Sequence, residues 1–131
     1  MKDLTNEILT VIEKRPANSH KGNYGRVVTV GGTKQYGGAI LMSTSAAVHA
    51  GAGLVTCATS PENLTALHAV VPEAMFVDFT DEKTINSVLT GANAIVVGPG
   101  LGTDETSLAI IKNVFANVTP EQYLVIDGSA I

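Results

Sequence analysis

Short β-branched runs alternate with stretches of helical period along most of this chain, and glycines mark nearly every change from one to the other. The runs fall at 26–30, 54–58, 74–79, 94–97 and 122–127, and helical patterns fill 38–50, 61–70, 82–90 and 104–117. Strands 54–58 and 94–97 are almost continuously apolar rather than alternating, as expected where both faces of a sheet are covered. Strict alternation with helical segments of 10 to 14 residues implies right-handed crossovers and a largely parallel sheet. Upstream, Leu4, Ile8, Leu9, Val11 and Ile12 predict an amphipathic helix over 4–12, closed by Pro16, and 17–25 is a polar loop with two glycines.

Several boundaries carry recognisable signals. Gly51 and Gly53 follow the helix ending at Ala50, Ser60-Pro61-Glu62 offers an N-cap followed by a proline, Thr80 or Asp81 can cap the next helix, and Thr103 or Asp104 the last. There is no internal repeat, linker or low-complexity tract.

Composition narrows the function classes. Hydrophobic residues make up 45% of the 131 residues and charged residues 15%, which points to extensive buried surface, at a subunit contact or against a further half. A homo-oligomer is the expectation for the complete protein. Eight Lys and Arg against 12 Asp and Glu leave no basic stripe for a nucleic-acid backbone. No apolar run is long enough to span a membrane, and Met1-Lys2-Asp3-Leu4-Thr5-Asn6-Glu7 has no secretory h-region. A cytoplasmic location is expected, and the lone Cys57, inside the apolar run Leu54-Val55-Thr56-Cys57-Ala58, reads as a core thiol.

Two glycine-rich strand ends carry the candidate chemistry. Val30-Gly31-Gly32 leads to Tyr36-Gly37-Gly38-Ala39, where small residues let backbone approach a ligand closely. Gly32 to Gly37 has the glycine spacing of a Walker A loop, but Gly38-Ala39 stand where Lys and Ser or Thr are needed, and no G-x-G-x-x-G is present. Close helix–strand packing explains these residues equally simply. In Gly98-Pro99-Gly100-Leu101-Gly102, three glycines at alternate positions between a buried strand and a capped helix suit an anion or ribose-phosphate edge, or else a tight βα connection.

Asp127 ends the last strand, where it can hold Mg²⁺ through water, orient a hydroxyl, or cap a following helix. Asp78 also ends a strand, but Thr80, Asp81 and Glu82 make a solvated helix start its better account. His20, His49 and His68 have no metal-site spacing. Near His20, a basic residue and flexible glycines in Lys21-Gly22-Asn23-Tyr24-Gly25 precede the first strand.

Taken in order, His20-Lys21-Gly22-Asn23-Tyr24-Gly25-Arg26, Gly31-Gly32, Tyr36-Gly37-Gly38-Ala39, Ala50-Gly51-Ala52-Gly53-Leu54-Val55, Gly98-Pro99-Gly100-Leu101-Gly102 and the strand into Asp127 resemble the ADP/ATP-dependent NAD(P)H-hydrate dehydratases, over about residues 20–131. The resemblance implies an α/β fold, a ribokinase-like three-layer αβα arrangement with a mostly parallel central sheet, incomplete in these residues. Residues 1–131 would then be the amino-terminal part of a single ribokinase-like domain. It also implies repair of hydrated NADH or NADPH: ATP or ADP with Mg²⁺ phosphorylates the added hydroxyl, and phosphate elimination restores the ring.

Carried over position by position, Ala39 and Gly102 would lie against the hydrated dinucleotide, flanked by Gly38 and Gly100. Asp127 matches the first aspartate of the family's Asp-Ala-Asp element, although Gly128-Ser129 stand in place of Ala-Asp. The family's Thr-Pro-His segment, ATP-contacting stretch and Gly-Thr-Gly-Asp motif follow the equivalent of Asp127 and are absent from these residues. The catalytic aspartate of that last motif is thus expected beyond Ile131, and no catalytic residue is assigned within 1–131. Without a general base or an anion hole, each typically worth about 10²-fold or more, these residues alone are expected to bind weakly and turn over nothing measurable. Another ribokinase-like small-molecule kinase and a non-catalytic nucleotide-binding or assembly module are the competing expectations.

Overall fold

The computed structural model describes residues 5–12 and 14–131. Five parallel strands, β1 (Arg26–Val30), β2 (Leu54–Thr59), β3 (Met75–Asp78), β4 (Ala94–Val97) and β5 (Tyr123–Ile126), form one sheet in the order β3-β2-β1-β4-β5. Four helices connect them: α1 (Gly37–His49), α2 (Leu64–Val70), α3 (Glu82–Thr90) and α4 (Glu105–Asn117). Every expected strand and helix from residue 26 onward is present, with ends that move by at most three residues.

Residue alternation along the strands divides the core in two. Val28, Val30, Ala58, Val77, Ile95 and Val97 pack with Ile85 and Leu89 of α3 and Ile110 and Val114 of α4. Cys57 packs with Ile40 of α1, Leu67 of α2, Val71 and Ala74 on the other face. Thr29 points to that second face, where its hydroxyl meets Thr44 of α1 at 2.8 Å, so a polar pair is buried fully satisfied. Burial pushes the Cys57 thiol up, partly offset by hydrogen bonds with Thr44 and Thr29, consistent with an inert core cysteine.

The caps follow local chemistry. Asp81 accepts from the Thr84 N–H at 3.2 Å and Asp104 from the Ser107 N–H at 2.8 Å, while Asp78 Oδ1 accepts from the Thr80 N–H and hydroxyl. Ser60 departs from expectation. It caps nothing, and its hydroxyl donates to Glu62, while Pro61–Asn63 forms a separate 3₁₀ turn ahead of α2.

The amino-terminal expectation is corrected more substantially. Leu4 lies outside the described residues, and Asn6–Val11 is a 3₁₀ helix that buries none of its residues. Ile8, Leu9, Val11 and Ile12 all stay exposed. Period alone does not stabilise so short a segment; an amphipathic helix forms when its apolar face has a surface to pack on.

The His20 stretch closes the amino end of the sheet. His20 Nδ1 accepts from the Gly22 N–H, Asn23 Oδ1 accepts from the His20 N–H, and the Tyr24 and Gly25 carbonyls accept from Gly53 and Leu54 at the start of β2. Arg15 lies 4.0 Å from the centre of the Tyr24 ring and donates to the Gly51 carbonyl.

Candidate functional site

Helices α1 and α2 cover one face of the sheet and α3 and α4 the other, so the chain turns in opposite directions where β1 and β4 end. Ligands in open α/β sheets bind in the crevice opened at such a switch point. Here the two glycine turns meet. The Gly32 N–H donates to the Pro99 carbonyl at 2.9 Å and the Thr33 N–H to the Gly100 carbonyl at 2.8 Å. Gly100 has φ +65°, and a Cβ there would collide with the Tyr36 carbonyl at the entrance to α1. Glycine at this position is required by both backbone angle and space.

Each turn is held from behind by buried polar side chains. The Thr59 hydroxyl and Asn63 Nδ2 both donate to the Gly32 carbonyl at 2.8 Å, and Asn63 also donates to Thr59 at 2.8 Å. The Asn63 amide stands where a side chain at Gly37 would lie. On the other turn, the Ser107 hydroxyl, buried at the start of α4, donates to the Leu101 carbonyl.

These ties engage carbonyls and leave amides free. The N–H groups of Gly100, Gly102 and Thr103 reach no protein acceptor among the described residues, and Tyr36 gives α1 no side-chain cap. At α4 the opposite holds. Asp104 occupies the helix end itself, and the Ser107 N–H, helped by a hydroxyl whose one proton is shared with the Leu101 carbonyl, holds its carboxyl below the usual aspartate value of 3.8. The free donors therefore gather at α1 and the Gly100–Gly102 turn, an arrangement complementary to anionic oxygens.

A crevice of about 370 Å³ opens at this point, lined by Tyr36, Ala39, Gly100, Gly102, Thr103 and Ser129. It unites Ala39, Gly100 and Gly102, although about 60 residues of sequence separate the two turns. Gly38 is exposed beside it on the first turn of α1, with open space where its Cβ would be. Asp127 is exposed at the end of β5 and is not among the lining residues; Ser129 is. Asp127 precedes a 3₁₀ turn, Gly128–Ala130, without a side-chain capping bond. Ile131 follows that turn, its N–H donating to the Gly128 carbonyl at 3.3 Å and its side chain almost fully exposed, and it too stands outside the crevice lining. Among the described residues, no three His, Cys, Asp or Glu side chains gather as a metal site.

The His20–Gly25 stretch lies at the opposite end of the sheet and takes no part in the crevice, and His49 and His68 occupy exposed positions on α1 and α2. Sequence reasoning did not single out Asn63, Thr59, Ser107 or Thr33. Each acts across a turn or between distant segments, and only the Gly-Gly and Gly-Pro-Gly punctuation hinted that something must hold those turns.

A parallel sheet in the order β3-β2-β1-β4-β5 with helices on both faces places the chain among three-layer αβα proteins. A family model described as NAD(P)H-hydrate dehydratase matches residues 27–131, and the chain belongs to that family. It is 51% identical over 132 aligned positions to the ADP-dependent (S)-NAD(P)H-hydrate dehydratase of Lactiplantibacillus plantarum, covering 100% of this chain and 48% of that protein. A crystal structure of a ribokinase-like superfamily protein from Enterococcus faecalis superposes with a TM-score of 0.93 at 48% identity, over 97% of this chain and 45% of that one. The ADP/ATP-dependent NAD(P)H-hydrate dehydratase of Bacillus subtilis, co-crystallised with ATP/Mg²⁺, superposes with a TM-score of 0.70 at 25% identity, over 89% of this chain and 42% of that one. The chain thus spans about half the length of the relatives it matches. Among the described residues, no helix is long and apolar enough to cross a membrane.

Proposed function

We propose that this chain supplies the dinucleotide side of an NAD(P)H-hydrate dehydratase acting in the cytoplasm, in which the added hydroxyl of hydrated NADH or NADPH is phosphorylated and then lost as phosphate. The observation that carries this reading is the crevice that gathers Ala39, Gly100 and Gly102 beneath free backbone amides. Ala39 and Gly102 would form its walls, Gly38 and Gly100 would allow close approach, and Asp127 would stand at its rim. Preorganised amides of this kind stabilise negative charge without reorganising when it arrives. The catalytic aspartate is proposed to come from sequence following Ile131, because no carboxylate lines the crevice.

ATP or ADP and Mg²⁺ are the implied co-reactants, and the phosphoryl group they supply makes the hydroxyl a leaving group. Among the described residues, no three His, Cys, Asp or Glu side chains gather to hold the ion. These residues are proposed to form the amino-terminal part of a single ribokinase-like domain, and an oligomer of that whole is part of the proposal. Exposed apolar side chains on edge strand β5 support the partial-domain reading: Tyr123 is 79%, Val125 51% and Ile126 41% exposed, as fits a parallel-sheet strand that the rest of the domain would cover. No nucleic-acid partner is proposed.

The test offers the whole protein, residues 1–131 together with the sequence proposed to follow Ile131, chemically hydrated NADPH with Mg²⁺ and either ADP or ATP, and follows the return of NADPH absorbance. Recovery coupled to nucleotide consumption is the expected result. Consumption with a small alcohol while hydrated NADPH is ignored would assign it to another ribokinase-like kinase, and nucleotide binding without turnover to a non-catalytic module.

A further inference from the structure

Thr33 sits at the junction of the two glycine turns, and we propose that its hydroxyl directly hydrogen-bonds a phosphate oxygen of the dinucleotide. This rests on the reading of the crevice given under Proposed function and adds a side-chain donor to the free backbone amides of Gly100, Gly102 and Thr103. Among the described residues, Thr33 Oγ1 is the buried side-chain polar atom that lacks a hydrogen-bond partner. The neighbouring polar groups do not share that state. Thr29 and Thr44 pair with each other, Thr59 and Asn63 are tied to Gly32, and Ser107 is tied to Leu101.

Buried hydroxyls in native proteins are nearly always hydrogen-bonded, so an orphan calls for a partner from outside the chain, a ligand or an ordered water. Position favours the ligand. The Thr33 N–H donates to the Gly100 carbonyl and its own carbonyl accepts from the Tyr36 N–H, which stitches this residue between the turn and the entrance to α1. Its methyl group lies 3.7 Å from where a Cβ on Gly102 would stand. Thr33 is not one of the lining residues, but it is only partly buried as a whole and its methyl is the group nearest Gly102, which does line the crevice, so one rotation about Cα–Cβ would turn the hydroxyl toward that wall. The free N–H groups nearby, on Gly100, Gly102 and Thr103, are all donors, so the complementary ligand atom is an acceptor, and a threonine hydroxyl adds a further donor to the set.

Two substitutions in the full chain separate ligand from water, with equilibrium binding of NADPH and the unliganded Tm as readouts. Thr33→Val keeps the shape and removes the hydroxyl; Thr33→Ser keeps the hydroxyl. The expected result is that Thr33→Val weakens NADPH binding about tenfold or more while leaving the unliganded Tm unchanged or raised, because a hydrogen bond to a charged acceptor is lost only in the complex. Thr33→Ser is expected to bind within about threefold of the parent, a margin set by the one methyl group it loses. Unchanged affinity in Thr33→Val, with or without a lower Tm, would overturn the proposal in favour of a water-satisfied or structural hydroxyl. Equal losses in Thr33→Val and Thr33→Ser would overturn it in favour of methyl packing. A parent protein that binds no NADPH would instead refute the dinucleotide site itself, and this contact with it.

Discussion

Replacing Gly38 by alanine separates the two reasons a glycine can occupy a helix start. Gly38 is the second residue of α1, its φ is not positive, and an ideal Cβ built on it meets nothing within 4 Å. Neither backbone strain nor packing therefore requires glycine there. Within a helix, Gly costs roughly 0.5–1 kcal/mol relative to Ala, and a first-turn position takes the lower end, so Gly38→Ala is expected to stabilise the unliganded protein by about 0.5 kcal/mol. That corresponds to a rise in Tm of roughly 1–3 °C. If the dinucleotide covers the α1 amides, the same methyl meets the ligand, and NADPH affinity is expected to fall by about tenfold, about 1.4 kcal/mol. Gly91→Ala is the control. Gly91 has φ −87°, its nearest atom to a built Cβ is 3.8 Å away, and it follows α3 at the other end of the sheet, so affinity is expected to be unchanged. Thermal melts and a nicotinamide-fluorescence titration report both quantities. A lower Tm for Gly38→Ala would refute the assignment of open space, and a raised Tm with parental affinity would refute the placement of the ligand at α1.

Other substitutions probe the supports of the crevice. Gly100→Ala combines a left-handed residue, costing about 1–2 kcal/mol, with a collision against the Tyr36 carbonyl, so a loss of at least about 3 kcal/mol in chemical denaturation or failure to fold is expected, and a mild effect would contradict that geometry. Asn63→Ala removes two buried hydrogen bonds and leaves a cavity beside Gly37, with an expected loss of about 2–3 kcal/mol and weaker NADPH binding, checked by urea melts and titration. Ser107→Ala leaves the Leu101 carbonyl without its side-chain donor and is expected to cost about 1–2 kcal/mol in the same assay. Asp104 is held below 3.8 when folded, so its stabilising effect is complete above the unfolded carboxylate value of about 3.9 and is lost as pH falls through the lower folded value. Asp104→Asn is expected to flatten that acid limb of the stability profile, and an unchanged limb would remove Asp104 as its source.

The architecture was legible because its signals are local. Continuous apolar runs at β2 and β4, glycine stops, and carboxylates at Asp81 and Asp104 each reflect the chemistry of a single strand or helix end. Ala39 and Gly102 stood out through the family resemblance, with Gly38 and Gly100 flanking them in turns that close packing would also explain, and the sheet order brings Ala39, Gly100 and Gly102 together. Asn63 could not be read the same way. Its partner Gly32 is 31 residues away, and nothing in Ser60-Pro61-Glu62-Asn63 distinguishes a buried clamp from an ordinary helix start. The place of the His20–Gly25 stretch follows from chain order alone. A segment that directly precedes β1 lies at the amino end of a parallel sheet, away from the switch-point crevice. The segment at 4–12 shows the limit of periodicity, which describes a face without supplying the surface that buries it.

Amide hydrogen exchange on the full chain, with and without NADPH, tests most directly whether the crevice is the dinucleotide site. Slower exchange at Gly38, Ala39, Gly100, Gly102 and Thr103, with no change at Gly22–Gly25, is the expected result. Protection confined to the His20–Gly25 end of the sheet, or none at either glycine turn under saturating NADPH, would contradict it.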